Sequence, residues 1–472
     1  MHCGYVVKIE KLRPHSNADR LQVATFFGND TCVSLDAQIG DIGVYFPSGL
    51  QLSEEFCAYN NLVRKKDDAG NNIGGYMDPS KRNVTTIKLR GERSDGIYLP
   101  IDCLAYVCPA DKPDVPVVNL SIGDTIDVVN GHEICTKYIP RSNHRAHSNS
   151  PKAKKSKTPV APLFMEHADT EQLAYNLAAF KPGDEIEITL KMHGTSQRTA
   201  YLPVFKGYKR SLFDKLLKRE GTPIYDWGYV SGTRRTVLEN YDGGYYGSNE
   251  FREQHSKLFE GKLWKGETVY YEVVGFTTFG APIMGNGKNS KLGKDFVKKY
   301  GAETVFSYGC EPFGFKVIPA DPSIPTTTPK VDYTKLQSDI YVYRMTMTNE
   351  DGDVVEYTPD FMRYRCEQMG VKAVPVFEKF TIGDLRTCPN DDCDVYTTTP
   401  EDIIKIAEEY YDGPDPIGKT HIREGVVVRI LNRPSFKAYK HKNFEFKVLE
   451  GIIAEAIADS NSEVVESALE EM

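Results

Sequence analysis

The sequence predicts an α+β protein in which a β-rich segment, residues 1–140, precedes a larger domain of antiparallel strands and helices, residues 165–450. Two observations support this class. The first segment contains short apolar runs separated by Gly, Asp and Pro, as in a small barrel or sandwich. The second mixes a helical pattern at Asp169–Ala179 with strand patterns, which we assign to residues 185–191, 269–276, 339–345, 424–430 and 444–450.

Composition places the chain among ordinary globular proteins. Its 472 residues are 40% hydrophobic and 26% charged, and this length predicts two or three domains. The net charge of −8 argues against a uniformly basic nucleic-acid coat, so such contacts must use local basic clusters. No apolar run approaches the ~18 residues of a membrane helix, and the cysteines are scattered. We therefore expect a cytoplasmic protein with reduced thiols and no membrane contact.

Three segments stand apart from the two predicted domains. Residues 141–164 begin RSNHRAHSNSPKAKKSK, without an acidic residue, and we expect a basic linker that is either solvated or in contact with a phosphate backbone. Residues 451–472 carry acidic residues and no Lys or Arg, which predicts an acidic C-terminal helix outside the core. A Pro/Thr-rich insertion at 308–335 shows no functional signal.

The stretch ITLKMHGTS places a lysine at the end of a predicted strand. Ile186 and Ile188 face the core by alternation, whereas Lys191 faces the other side, toward a possible cleft. Gly194 lets the backbone turn sharply and approach a ligand. Lys191 is therefore either a solvated strand end or a nucleophile, and a nucleophilic amine must be neutral when it attacks.

Charged residues recur in later strands. Glu272 lies inside VYYEVVGF and Glu424 begins EGVVVRI, where a carboxylate costs free energy unless it is paired, hydrogen-bonded or metal-bound. Lys440 and Lys442 share one strand face about 6.7 Å apart, which an anion between them would explain. SGTRRT adds two arginines beside a glycine turn. Each feature alone is also compatible with a structural ion pair or a surface charge.

The lysine motif, the arginine motif, the glutamate strand, the aromatic strand, EGVV and KHK follow one another along the chain. This order of motifs resembles that of covalent nucleotidyltransferases, and specifically that of ATP-dependent RNA ligases. KMHGTS and YKHKN are similar to the K-x-H-G and K-x-K-N motifs of nick-sealing, phage-type RNA ligases. The resemblance covers most of residues 165–450 and implies a nucleotidyltransferase (adenylylation) domain of ATP-grasp-like antiparallel sheets plus helices. It also implies ATP with Mg²⁺ or Mn²⁺ as cofactors, and nicked or broken RNA, duplex RNA included, as the partner of a monomeric enzyme.

The resemblance implies a role for each matching residue. Lys191 is expected to become adenylylated, and Glu424 to hold the catalytic metal together with Glu272. The expected nucleotide-binding residues are His193, Gly194, Arg235 or its close rival Arg234, Glu272 at the ribose, Tyr343 stacked on adenine, and Lys440 and Lys442 at the phosphates.

Three positions depart from the family pattern. His193 replaces the commoner aspartate, and Ser196 stands where many relatives carry an arginine or an amide, a loss for which Arg198 could compensate. Leu190 occupies the place where some relatives use an acidic residue to read the adenine amine. The preference for ATP over GTP therefore rests on the resemblance alone.

The first segment has a resemblance of its own. His15, Asn17, Ala18, Asp19 and Leu21 match the H-x-N-A-D-x-L signature of OB-fold tRNA-binding modules. One branch of RNA ligases carries such a module before the transferase domain, so we expect an N-terminal OB-like β-barrel that binds nucleic acid through aromatic and cationic groups. Alternatively, the signature maintains the fold by capping a turn.

The resemblance thus predicts an RNA ligase for RNA repair. It would join 3′-hydroxyl and 5′-phosphate ends through a lysyl-AMP intermediate and an adenylylated 5′-end, releasing pyrophosphate and AMP. The enzymatic alternatives are an mRNA-capping guanylyltransferase and an ATP-dependent DNA ligase, which usually carry an OB domain after the transferase domain. The non-enzyme alternative is an RNA-binding protein with an inactive transferase domain, against which the intact lysine and glutamate motifs argue.

Overall fold

The protein was analysed as a computed structural model. The structure describes residues 3–66, 73–108, 120–138, 159–168, 170–217, 219, 221–241, 246, 248–278, 281–306, 308, 338–387, 395–417 and 421–450. The predicted acidic helix lies outside these residues, as do the predicted linker up to residue 158 and nearly all of the 308–335 insertion. The chain divides into two compact units, with boundaries after His147 and after Phe446.

The N-terminal unit is built mainly of short strands. They are β1 (Gly4–Lys8), β2 (Leu12–Pro14), β3 (Leu21–Phe26), β4 (Asn29–Ser34), β5 (Ile42–Phe46), β6 (Leu50–Leu52), β7 (Ile87–Leu89), β8 (Glu92–Ser94), β9 (Ile97–Pro100), β10 (Thr125–Ile126), β11 (Val128–Val129), β12 (His132–Glu133) and β13 (Cys135–Lys137). A helix, α1 (Glu54–Tyr59), and a 3₁₀ helix (Ile101–Val107) accompany them. The described pairings form separate sheets, the largest with the order β10-β1-β5-β9, so a closed OB-like barrel is not confirmed.

Two residues of the tRNA-binding-like signature support a turn in this unit. The Asn17 side chain donates a hydrogen bond to the Arg90 carbonyl at 2.8 Å, and the Asn17 backbone N–H donates to His15 Nδ1 at 3.1 Å. Arg90 has a positive φ of 38°, a conformation that costs free energy and needs such support. These contacts fit the alternative in which the signature maintains the fold.

The second unit contains the remaining strands and helices, except that the last helix, Phe444–Glu450, crosses the boundary after Phe446. The strands are β14 (Glu171–Gln172), β15 (Glu185–Leu190), β16 (Thr195–Lys209), β17 (Thr222–Gly232), β18 (Glu267–Gly275), β19 (Asn286–Lys288), β20 (Glu303–Val305), β21 (Ser338–Thr348), β22 (Val354–Glu356), β23 (Lys372–Ala373), β24 (Val376–Thr381), β25 (Leu385–Thr387), β26 (Val395–Thr397), β27 (Gly425–Ile430) and β28 (Lys437–Lys442). The helices are α2 (Leu212–Leu216), α3 (Glu250–Lys257), α4 (Lys294–Tyr300), α5 (Pro359–Met369), α6 (Ile403–Tyr411) and α7 (Phe444–Glu450), with 3₁₀ helices at Leu173–Tyr175, Leu177–Ala179, Asn289–Leu292 and Pro400–Asp402.

Two largely antiparallel sheets organise this unit. One has the strand order β14-β28-β27-β15-β24, and the other has the order β17-β16-β18-β21-β22, with β23 beside β21. The chain passes from β15 in the first sheet to β16 in the second through residues 191–194, which are Lys-Met-His-Gly. The predicted α+β class is therefore confirmed, and the lysine motif is the connection between the two sheets.

Helix α5 shows how the sequence sets the ends of an element. The Thr358 hydroxyl accepts a hydrogen bond from the Phe361 N–H, and Pro359 occupies the first turn, where its missing N–H costs nothing. The helix ends at Gly370, whose φ of 70° is left-handed. Met362 and Met369 are buried in the core that packs against the six-stranded sheet.

Four of the predicted strands are confirmed by β15, β18, β21 and β27. The helix predicted at 169–179 is wrong, because the Asn176 side chain donates to the Gln172 carbonyl at 2.7 Å, which an α-helix would give to the Asn176 N–H. That stretch forms β14 and two 3₁₀ helices instead. The strand predicted at 444–450 is helix α7, whose first turn is capped because Asn443 Oδ1 accepts a hydrogen bond from the Phe446 N–H at 3.2 Å.

Candidate active site

The Lys-Met-His-Gly connection runs close to strand β18. The Lys191 N–H donates to the Gly425 carbonyl at 3.0 Å, which extends the β15–β27 pairing by one residue. A Cβ atom on Gly194 would lie 2.4 Å from the Val273 carbonyl oxygen and 2.9 Å from Glu272 Cγ. Glycine is therefore required here by the neighbouring strand, whereas the sequence suggested close approach to a ligand.

Glu424 gathers three of the predicted residues around one carboxylate. Its Oε1 lies 2.7 Å from Lys191 Nζ and 2.7 Å from Lys442 Nζ, and its Oε2 lies 3.0 Å from His193 Nδ1. The side chain is only 2% exposed. Burial raises the pKa of Glu424, but the charges of the two lysines outweigh it and hold the pKa well below its ordinary value. The carboxylate is therefore ionised at neutral pH.

Glu272 is a second carboxylate close to Lys191. It lies on β18 directly opposite Ser196 on one neighbouring strand and Tyr341 on the other. Burial raises the pKa of Glu272 to about 7, with the negative charge of Glu424 adding to the rise and the positive charge of Lys191 opposing it. Glu272 thus changes its charge within the physiological pH range.

Tyr343 is the extra residue of a β-bulge. Tyr270 pairs with Arg344 and Tyr271 with Val342, so Tyr343 has no counterpart on β18. A bulge redirects a side chain relative to the regular alternation. The Tyr343 hydroxyl lies 2.9 Å from Ser196 Oγ, and burial raises the pKa of Tyr343, so it remains protonated.

The two arginines of SGTRRT lie just after β17, and both are exposed. The positive charge of Arg234 acts on Glu272 and on Tyr343, where it opposes the effect of burial on both pKa values. Arg234 is thus electrostatically coupled to two of the predicted nucleotide-binding residues.

Lys440 lies two residues before Lys442 on β28 and therefore on the same strand face. It is opposite Val427 on β27, while Lys442 is opposite Gly425. Both lysine side chains are partly buried. The two lysines thus share a strand face, and Lys442 is the one that contacts Glu424.

The predicted compensation for Ser196 by Arg198 is not seen in the geometry. Arg198 is 1% exposed, donates to the Met165 carbonyl and lies 4.2 Å over the Phe164 ring. Burial lowers the pKa of its guanidinium. The Arg198 side chain therefore packs against residues 164–165, before β14, and does not take the place of a side chain at Ser196.

Arg252 on α3 is a supporting residue that the sequence reasoning missed. Its guanidinium donates to the Ser196 carbonyl at 3.1 Å and to Thr195 Oγ1 at 2.5 Å. The side chain of Gln197 donates back to the Arg252 carbonyl at 2.9 Å. Arg252 is only 4% exposed and braces the start of β16. An arginine in a short amphipathic helix carries no sequence signal for this role.

A second missed group supports the backbone of His193. The His193 N–H donates to the Tyr308 hydroxyl oxygen at 3.4 Å, and the Tyr308 hydroxyl donates to Asp415 Oδ2 at 2.9 Å. Asp415 is completely buried. This chain links the Lys-Met-His-Gly segment to a carboxylate more than two hundred residues away, which no local pattern reveals.

The site offers two carboxylates rather than a cluster of metal ligands. Among the described residues, no group of three or more His, Cys, Asp and Glu is arranged to hold a metal ion. In phosphate-transfer sites, Mg²⁺ typically uses one or two carboxylates plus substrate phosphates. Burial is the main cause of the raised pKa of Glu272, and repulsion by Glu424 adds to it, so a divalent cation between the two carboxylates would relieve that repulsion.

The fold of the chain is similar to that of solved RNA ligase structures. The chain is similar to Naegleria gruberi RNA ligase with PPi, with 15% identity, coverage of 95% of this chain and 98% of that chain, and a TM-score of 0.52. It is also similar to a mutant of that ligase with ATP and Mn, with 14% identity, 94% and 98% coverage and a TM-score of 0.51. At these identities the similarity is one of fold.

No family model and no curated protein matches the sequence. Within the described residues, no helix has both the length and the apolar composition needed to cross a membrane.

Proposed function

We propose that this chain is an ATP-dependent RNA ligase that joins 3′-hydroxyl and 5′-phosphate ends of nicked or broken RNA. The observation that carries the proposal is the convergence of Lys191, Lys442 and His193 on the buried Glu424 carboxylate. A strand-end lysine among cations, with a second carboxylate nearby, suits nucleotidyl transfer. The shared fold with a ligase solved with PPi, and as a mutant with ATP and Mn, supports this assignment.

In the proposed first step, the Lys191 amine attacks the α-phosphate of ATP. A nitrogen–phosphorus bond forms, the bond to the bridging oxygen breaks, and pyrophosphate leaves. The attacking amine must be neutral. The Glu424 carboxylate that contacts Lys191 also contacts Lys442 and His193, so three groups converge on it beside the amine. In-line displacement at phosphorus then depends mainly on positioning and charge neutralisation.

The remaining side chains would bind the nucleotide. Lys440 and Lys442 supply positive charge for the phosphates, and Arg234 adds to it from the turn after β17. Tyr343 would stack on the adenine, with its ring orientation fixed by the hydrogen bond to Ser196. Glu272 would contact the ribose or metal-bound water.

Mg²⁺ or Mn²⁺ is the implied metal, held by Glu272 and Glu424. When bound, such an ion neutralises charge on the non-bridging phosphate oxygens. The chain's own contribution is to keep two carboxylates close together although they repel each other.

The last two steps involve the RNA. The AMP passes from Lys191 to the RNA 5′-phosphate, and the amine that leaves takes up a proton and regains its ion pair with Glu424. An RNA 3′-hydroxyl then attacks the activated phosphate and releases AMP. Each step exchanges one bond to phosphorus for another, so no oxidant or reductant is needed.

Further parts of the proposal concern the whole chain. Residues 1–140 would form an OB-like nucleic-acid-binding domain, residues 141–164 a linker, residues 165–450 the adenylylation domain and residues 451–472 a terminal helix. The protein would act as a monomer in the cytoplasm, in RNA repair. The fold-keeping contacts of Asn17 do not exclude nucleic-acid binding elsewhere on that domain.

The test is a joining reaction with a nicked RNA duplex that carries a labelled 5′-phosphate. With ATP and Mg²⁺ or Mn²⁺, we expect a longer strand on a denaturing gel and a label that phosphatase no longer removes. The matched control is a nicked DNA duplex of the same sequence. Joining of DNA alone would identify a DNA ligase. Absence of joining, together with covalent labelling of the protein by α-labelled GTP but not by ATP, would identify a capping guanylyltransferase.

A further inference from the structure

The second sheet of the C-terminal unit extends into a long two-stranded arm. Strands β16 and β17 pair from Arg198–Gly232 out to Lys209–Thr222. Strand β18 pairs with β16 only along Thr195–Ala200. The nine residues of β16 from 201 to 209 therefore have β17 as their only strand partner in the described part of the chain, and they span about 30 Å.

The end of this arm is rich in basic residues. Residues 206–221, KGYKRSLFDKLLKREG, contain six basic residues, namely Lys206, Lys209, Arg210, Lys215, Lys218 and Arg219, and two acidic residues, Asp214 and Glu220. The side chains of Lys206, Lys209, Arg210 and Arg219 are exposed. Asp214 accepts hydrogen bonds from the N–H and the hydroxyl of Ser211. In a chain of net charge −8, this segment is a local basic cluster.

One face of the arm carries aromatic side chains. Tyr201 is opposite Tyr229 and Phe205 is opposite Tyr225, with Trp227 between the two pairs, so these side chains share a face. The Tyr201 and Tyr229 rings stack at 4.7 Å, and Trp227 lies 5.8 Å from Tyr201. All five of these aromatic side chains are partly buried, so each keeps some surface exposed. Lys265 Nζ lies 5.2 Å over the Trp227 ring and adds a positive charge to this face.

We propose that this arm binds a nucleic-acid strand, with the basic end contacting phosphates and the aromatic face contacting bases. Proteins bind single-stranded nucleic acid through basic groups that contact the phosphates and aromatic side chains on which bases stack, and this arm carries both. The choice of RNA rests on the proposed ligase function. The exposed Leu212 and Leu216, 83% and 79% accessible, identify the competing partner, an anionic membrane surface.

The experiment compares Lys206→Ala/Lys209→Ala with Lys181→Ala/Lys405→Ala, which removes two exposed lysines elsewhere on the same unit. Binding of a fluorescent nicked RNA duplex with a single-stranded extension is measured by anisotropy in the full chain from 50 to 200 mM salt. For the arm variant, we expect about tenfold weaker binding at 50 mM and a slope of log affinity against log salt smaller by about 2. The control variant keeps the wild-type slope, and both keep the wild-type melting temperature and adenylylation by labelled ATP.

An unchanged affinity and slope in the arm variant would overturn the inference. Retained RNA binding together with lost binding to phosphatidylserine vesicles would overturn it in favour of a membrane surface. If the wild type joins no RNA ends but its RNA binding still depends on the arm, the ligase proposal fails and the arm inference stands.

Discussion

The Glu424 Oε1 atom lies 2.7 Å from Lys191 Nζ, and this contact fixes the amine at the end of β15. The same oxygen also holds Lys442. The amine that we propose as the nucleophile therefore forms an ion pair with the carboxylate that we propose as a metal ligand. Nucleotide and metal would redistribute these charges, and each partner can be tested separately.

Replacement of Glu424 should impair both stability and chemistry. In Glu424→Gln, two lysines and His193 face an amide without a negative charge, and we expect the free energy of unfolding to fall by about 2 kcal/mol. This is less than for a fully buried pair, because the Lys191 side chain is 21% exposed. Urea unfolding measures the loss, and self-adenylylation should fall at least about 100-fold. Adding Lys442→Met should recover part of the stability and none of the activity, whereas additive losses would contradict the shared ion pair.

Glu272 should make stability depend on pH. Its carboxyl ionises near 4.5 ordinarily and near 7 in the folded protein, so the folded state retains this proton between those values. Its contribution to the free energy of unfolding therefore falls as pH rises from 4.5 to 7. We expect Glu272→Gln to be about 2 kcal/mol more stable than wild type at pH 8 and nearly equal to it at pH 4.5. Urea unfolding at the two pH values tests this, and an equal difference at both would show that Glu272 titrates normally.

Gly194 should tolerate no side chain. Because a Cβ would meet the Val273 carbonyl at 2.4 Å, Gly194→Ala must displace β18 or the lysine segment. We expect a loss of roughly 1–3 kcal/mol in the free energy of unfolding, together with most of the adenylylation activity. Gly285→Ala is the matched control, since no atom lies within 4 Å of a Cβ at that position. Equal effects in thermal unfolding and activity would refute the steric explanation.

Two substitutions of Tyr343 distinguish the role of its ring in stacking from the role of its hydroxyl in hydrogen bonding. Tyr343→Phe keeps the ring and loses the contact with Ser196, so we expect a loss of about 1 kcal/mol in stability and little change in the KM for ATP. Tyr343→Ala removes the ring and should raise the KM for ATP at least about tenfold. If both variants raise the KM equally, the hydroxyl rather than the ring contacts the nucleotide.

The two neighbouring arginines provide a matched pair. Because the charge of Arg234 acts on Glu272 and Tyr343, Arg234→Ala should weaken ATP binding more than Arg235→Ala, by a factor of about ten. Isothermal titration with a non-hydrolysable ATP analogue measures both affinities. A larger effect of Arg235→Ala would identify Arg235 as the nucleotide-binding arginine.

Local patterns predicted much of this site because its charged residues lie on strands. Alternation placed Lys191 away from the Ile186 and Ile188 core face, and it placed Lys440 and Lys442 on one face. The cost of a carboxylate in an apolar strand singled out Glu272 and Glu424. The structure brings Lys191, His193, Glu424 and Lys442 into direct contact, whereas their catalytic roles stay predictions.

The remaining features depend on contacts that local patterns do not encode. The supports from Arg252 and from the Tyr308–Asp415 pair join segments 50 or more residues apart. The bulge at Tyr343 depends on the register between two distant strands. The FEFKVLE segment alternates like a strand, but the capping contact of Asn443 makes it a helix. A short alternating run of seven residues is compatible with either structure.

The most direct test of the account is the covalent bond to Lys191. Purified protein, freed of bound nucleotide, is incubated with α-labelled ATP and Mg²⁺ or Mn²⁺, and the labelled peptide is identified by mass spectrometry. The account predicts one AMP per chain on the peptide that contains Lys191, no label in Lys191→Ala, and no label from GTP. Label on another lysine, or equal labelling of Lys191→Ala, would contradict the assignment of Lys191 as the nucleophile.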